Sequence, residues 1–194
     1  MDSLIVLAAI GLILLLPLVW LVANYNRFAR VRQHIRESWS GIEVEMKRRY
    51  ELIPNLVETV RGYAKHEREV FELVTQLRNK AMANHGPASG QAVDEAALQI
   101  GMKRLFAVVE AYPQLRADTH FLALQQELAN CEDRIAAARR FFNGNVREMN
   151  QLCDSFPTNF IASWFGFERA TYFELSSEAE RVVPRVNLAA QPSV

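Results

Sequence analysis

The stretch FLALQQELANCEDRIAAARRFF, Phe121 to Phe142, decides the fold class. Its apolar residues Phe121, Leu124, Leu128, Cys131, Ile135, Ala138 and Phe142 alternate spacings of 3 and 4 without a fault. That rhythm keeps one face of an α-helix apolar along its whole length. Val146, Met149 and Cys153 continue the stripe after a slip of 4, and Pro157 closes the run. A seam this long must pack on other helices.

Toward the N-terminus the pattern repeats. Leu98, Met102, Leu105, Val109 and Tyr112 recur at 4, 3, 4 and 3, and Pro113 ends or bends that helix. Asn84 to Gly90 (NHGPASG) is the strong loop signal. Before it, Leu56, Val60, Tyr63, Val70, Val74 and Leu77 carry a stripe to about Met82. Ile35, Trp39, Ile42 and Met46 carry another, and Pro54 predicts a kink or a helix restart. No stretch alternates at period 2 for long, so no β-sheet is expected. The expected fold class is all-α: an N-terminal transmembrane helix, then a bundle of three to four long antiparallel helices.

The anchor is read from Leu4 to Ala23, LIVLAAIGLILLLPLVWLVA, which carries no charge. As helix it is roughly 30 Å long, enough to cross a bilayer core. Leu4 and Leu12 stand for its apolar body; membrane helices tolerate Pro17, and Trp20 suits the polar interface. A cleaved secretory signal would need a basic start and a shorter run; here the only early charge is Asp2. Arg27, Arg30, Arg32 and Arg36 follow the run and no Lys or Arg precedes it. The positive-inside rule then places a short N-terminus outside and the bulk in the cytoplasm, with a single pass through the bacterial inner membrane. The arginine collar is read as setting topology, with contact to anionic lipid heads as the alternative. The domain reading is an anchor at 1–26, a helical bundle at 27–175 and a polar tail at 176–194.

Composition excludes several classes. The chain has 194 residues, 50% hydrophobic and 23% charged, with 22 basic and 22 acidic side chains. A neutral total argues against nucleic acid as a partner. Two cysteines without CxxC spacing make neither a disulfide scaffold nor a zinc knuckle. Cys131 and Cys153, 22 residues apart on one expected helix, are about 33 Å apart and read as small core hydrophobes.

No constellation names a reaction. None of His34, His66, His85 and His120 has Glu or Asp three residues before it, as di-iron bundles require. The reversed pairs His34/Glu37 and His66/Glu69 read as wet polar residues, so no metal or cofactor is expected. Ser38 lies one turn after His34 but lacks an oriented base and an oxyanion site; the two read as sharing a helix surface. Lys47-Arg48-Arg49 reads as a solvated face with the i,i+4 pairs Glu43/Lys47 and Glu45/Arg49.

These motifs carry a resemblance. The run Trp39 to Ala64 (WSGIEVEMKRRYELIPNLVETVRGYA) resembles the signature of the LemA family. So do Tyr112-Pro113-Gln114-Leu115-Arg116-Ala117 leading into Phe121, Leu124-Gln125 and Leu128, then Glu132-Asp133-Arg134-Ile135 through Arg139, and Phe156-Pro157-Thr158-Asn159. The order and spacing cover Tyr25 to about Glu174. Phe142-Asn143 and Met149-Asn150 stand where the family usually has Tyr-Asn, and Cys131 where Thr is common. The resemblance implies a membrane-anchored helical bundle with a short outside N-terminus, and no established catalytic activity or cofactor. It assigns no role to the recurrent polar positions, here Arg48, Arg49, Asn55, Glu67, Glu132, Arg134 and Arg139. Buried polar side chains that fix helix register would explain several of them.

The functional expectation is a non-enzymatic, membrane-anchored scaffold that self-assembles and organises an unknown protein partner. A monomeric adaptor or sensor for a membrane protease or kinase is the alternative, and an enzyme with an inter-helix site the third reading. Self-association rests on surplus apolar surface. Phe141 and Phe142 point about 100° apart, so one seam cannot face both. Phe160, Trp164, Phe165 and Phe167 crowd after Pro157 with Ile161, Tyr172 and Phe173. They either cap the bundle or form an interface, with lipid or with another copy.

Overall fold

The computed structural model describes residues 1–174, without the side chains of residues 5–10, 12 and 14. The expected tail at 176–194 lies outside the described residues. Among the described residues six helices follow in order: α1 Asp2–Tyr63, α2 Arg68–Ala83, α3 Ala88–Glu110, α4 Pro113–Arg116, α5 Thr119–Asp154 and α6 Thr158–Phe165. There is no strand among the described residues.

The long antiparallel pair α1 and α5 forms the frame. Arg27 reaches Glu148 (2.9 Å), Cys131 Sγ reaches the Glu45 carbonyl (3.1 Å), and Tyr63 Oη donates to Asp118 (2.9 Å). These pairs hold one register along the whole of α5. Asp118 caps α5 by accepting from the Phe121 N–H at 2.9 Å. The α2–α3 hairpin completes the bundle. Phe71, Val74 and Ala81 from α2, and Leu98, Met102, Leu105 and Val109 from α3, join the Phe121-to-Phe142 stripe in one core. Gly101 lies at a close approach of α3 to α2: a Cβ there would come within 2.8 Å of Leu77 Cδ1.

Three sequence expectations change. Of the kink or restart expected at Pro54, the restart does not occur; α1 runs through it. Proline removes the N–H that would bond the Tyr50 carbonyl four residues back. Arg78 Nε on α2 takes that carbonyl instead, at 2.7 Å. The stripe from Leu56 to Met82 is two helices, because the chain turns between Ala64 and Glu67. Lys65 to Glu69 offers no apolar side chain to hold a continuing helix on the bundle, and the turn lets α2 bury Phe71 and Val74. The loop at 84–90 is shorter than expected, since α3 begins at Ala88 after Pro87.

A second, smaller core closes the end of the bundle from which the N-terminal part of α1 emerges. Phe28 and Val31 of α1, Met149 and Leu152 of α5, and Ile161, Ala162 and Phe167 build it. Gly166 sits at φ 67°, a left-handed conformation that suits glycine, and ends α6. The Phe167 N–H then reaches the Ala162 carbonyl at 2.9 Å, and the ring stacks on Phe28 at 4.6 Å.

Above this end, α1 stands apart. Ile13, Leu15, Leu16, Leu18, Val19, Trp20 and Val22 are exposed. The expected membrane span is not supported as such: among the described residues no helix is long and apolar enough to cross a membrane. The side chains outside the description fall inside that same apolar run.

Candidate functional site

The residue stripe Met46, Arg49, Ile53 on α1 follows the 3 and 4 spacing of the core face. Arg49 is therefore carried inward, where it is 1% exposed. This overturns the solvated-face reading of the basic triplet for Arg49. Its guanidinium pairs closely with Glu95 of α3 through Nη2, and Nη1 meets Glu132 Oε1 of α5 at 2.8 Å. One side chain thus ties three helices together. Arg48, by contrast, faces outward and pairs with Glu127 across α1 and α5.

Glu95 is itself buried. It also accepts from the Tyr50 hydroxyl and from Gln91 Nε2 at 3.1 Å. Gln91 Nε2 lies 3.1 Å from Tyr50 Oη and 3.0 Å from the Ala81 carbonyl. Burial pushes the Tyr50 phenol above its ordinary value, against the pull of the Arg49 guanidinium. Tyr50 is accordingly a protonated donor at neutral pH. Charges taken out of water cost several kcal/mol each unless paired, so the pairing of Arg49 with Glu95 and Glu132 is what permits the burial. Arg49 Nε has no acceptor among the described residues. At the rim, Lys80 Nζ (2.9 Å) and the Asn84 amide (2.6 Å) hold Asp94 below its ordinary value.

A cavity of about 260 Å³ opens beside this cluster. Trp39, Met46 and Met82 give it apolar walls, and Tyr50 and Gln91 form its polar floor. The Trp39 indole donates to Glu43 at 2.9 Å, which fixes that wall. The arrangement suits an apolar group carrying one hydrogen-bonding end.

A further device was not foreseen. Asn143 and Asn150, seven residues apart on α5, clamp the extended chain after α6. Asn150 accepts from the Ala170 N–H (2.8 Å) and donates to its carbonyl (3.1 Å). Asn143 does the same to Phe173, at 2.9 and 3.1 Å. Phe173 is thereby buried edge-on to Trp39. The repeated pairs Phe142-Asn143 and Met149-Asn150 were the only local signal.

The residues named from sequence divide as follows. Leu4, Pro17 and Trp20 lie exposed on the free part of α1; the side chain of Leu12 lies outside the described residues. Of the aromatic segment, Ile161, Phe167 and Phe173 fold back as a cap. Phe160 (54% exposed), Trp164 (76%) and Phe165 (47%) stay outward. Phe142 is in the core and Phe141 is exposed. Ser38 is buried rather than on the surface, donating to the His34 carbonyl at 2.7 Å, while His34 is exposed. Burial raises the Cys131 thiol above its ordinary value, as befits a core residue; Cys153 is half-buried. Among the described residues, no three His, Cys, Asp or Glu side chains gather as a metal set.

Residues 38–188 match the LemA family profile. The chain is 26% identical to magnetosome protein MamQ of Magnetospirillum gryphiswaldense, over 79% of this chain and 65% of that protein. It is 27% identical to magnetosome protein MamQ 1 of Paramagnetospirillum magneticum, over 79% and 66%. It is 29% identical to Protein LemA of Metamycoplasma hominis, over 83% and 73%. The chain spans just under two thirds of the length of the two magnetosome relatives.

Proposed function

Because the chain belongs to the LemA family, we propose that it is a membrane-anchored, non-catalytic helical-bundle scaffold. It self-assembles and organises protein partners at the bacterial inner membrane. The observation that carries the anchor is the free part of α1: its apolar side chains stand exposed on a helix that enters the bundle without a break. Contiguous apolar surface of that kind is covered by lipid or by protein. The arginines at 27, 30, 32 and 36, which follow the apolar run, support a cytoplasmic bundle with the N-terminus outside.

The non-catalytic reading rests on the buried cluster. Arg49 and Glu95 turn their charges on each other and on Glu132, Tyr50 and Gln91, which locks helix register rather than presenting a reactive group. A monomeric adaptor is the second reading, favoured by the cavity beside Trp39.

The test is made on the full-length chain. It should stay in the membrane through high-salt and alkaline washes; an intact chain released by alkali would end the anchor reading. Ser89→Cys, exposed at the start of α3, should resist an impermeant thiol reagent until the membrane is opened. In mild detergent, a mass that is a multiple of 22.1 kDa supports self-assembly. A single chain mass removes it and leaves the adaptor.

A further inference from the structure

α6 is an eight-residue helix with two faces. Ile161 and Ala162 are buried against α1 and α5. Phe160 and Trp164, four residues apart, form the opposite face, and Phe156 (80% exposed) adds to it through an edge contact with Phe160 at 6.0 Å. At its end, Phe165 and Phe167 stand edge-on to Tyr25, at 4.9 and 5.7 Å.

Tyr25 fixes where this face lies. The apolar run on α1 ends at Ala23, so Tyr25 sits about 3 Å further along the helix axis. The polar layer on each side of a bilayer core is about 5–8 Å deep. α6 is therefore packed against the stretch of α1 that would cross the headgroup layer. On its α1 side the Arg32 guanidinium lies 5.1 Å over the Phe167 ring, and Arg169, which follows α6, pairs with Asp154 at 3.0 Å.

We infer that α6 is an interfacial helix, which lays Phe156, Phe160, Trp164 and Phe165 into the headgroup layer of the bilayer that holds α1. This rests on the anchoring proposed above. Aromatic side chains favour that layer, and short amphipathic helices lie in it with their apolar face down. A second copy of the chain is a poorer occupant. The four rings expose on the order of 500 Å², against about 800 Å² that a stable partner covers. The exposed Arg32 beside Phe167 adds attraction to anionic headgroups that a copy carrying the same charge would not.

The experiment uses the full-length chain in bilayers of phosphatidylcholine and phosphatidylglycerol. Two variants each keep one tryptophan: Trp20→Phe/Trp39→Phe keeps Trp164, and Trp39→Phe/Trp164→Phe keeps Trp20. Lipids brominated high on the acyl chains serve as quenchers. Trp164 should lose emission to them and emit at shorter wavelength than in detergent-free water. If Trp20 is quenched and Trp164 is not, the inference fails and the anchor stands. That holds whether Trp164 emits as if in water or as if covered by protein. If neither is quenched, the anchor fails and takes the inference with it.

Discussion

Arg49→Met tests whether the buried cluster holds the three helices together. The substitution keeps an unbranched side chain in the core but leaves Glu95 buried with only Tyr50 and Gln91 as partners. Removing one member of a buried pair costs about 3–5 kcal/mol, because the other charge stays out of water. For a chain of this size that is a fall in melting temperature of about 6–20 °C. Arg48→Met is the control. Its pair with Glu127 is exposed on both sides, and such a pair contributes at most about 1 kcal/mol. The pair Arg49→Met/Glu95→Gln should regain part of the loss, since no unpaired charge remains and Gln can still bond Tyr50. The assay is thermal unfolding of the full chain in mild detergent, followed by helical circular dichroism. If Arg49→Met costs no more than Arg48→Met, the cluster does not bear on stability and the register argument is wrong.

Three further outcomes follow from the same geometry. Leu128→Ala or Ile135→Ala should cost about 2–5 kcal/mol, while Phe141→Ala, at an exposed position, should cost little; equal losses would mean the seam is misplaced. Asp118 is held below its ordinary 3.8, first by the Phe121 N–H and then by the Tyr63 hydroxyl. A depressed carboxylate stabilises above its unfolded value and loses that effect as pH falls through its folded value. The melting gap between the natural chain and Asp118→Ala should thus be flat at neutral pH and close below 3.8; a gap unchanged into strong acid would refute the ionised cap. Asn150→Ala should free the chain after α6, seen as faster amide hydrogen exchange at Ala170 and Phe173; unchanged protection would show that the clamp is not what holds it.

What the sequence made legible was what local periodicity controls. The Phe121-to-Phe142 stripe has no proline and only core-facing apolar residues at its beats, so α5 could be drawn from it. The turn at Ala64 to Glu67 escaped because neither Gly nor Pro marks it. It is decided by the contacts α2 gains on turning back. Pro54 misled for the opposite reason: the rule about the lost N–H holds, but Arg78, distant in sequence, supplies the missing donor. Arg49 sat on the core beat between Met46 and Ile53, yet its charge outweighed its position in the reading. Its partners Glu95 and Glu132 are 46 and 83 residues away, and no local pattern couples them. The asparagine clamp was half visible, as a seven-residue repeat whose partner segment after α6 has no rhythm of its own.

The unbroken passage of α1 from its apolar run into the bundle makes the junction a phase setting. One rod serves both parts, so no hinge absorbs a change in length. Each residue added between Ala23 and Tyr25 would turn the bundle by about 100° and lift it by about 1.5 Å. One insertion would swing α6 away from the side it now occupies while scarcely changing its height. Seven would bring the azimuth back to within about 20° and raise α6 by roughly 10 Å, which on the interfacial reading proposed above lifts it clear of the headgroups. On the anchoring proposed above, the height of the bundle over the bilayer is therefore set by a residue count, in steps of about 1.5 Å, while its bearing relative to the apolar run turns with each step.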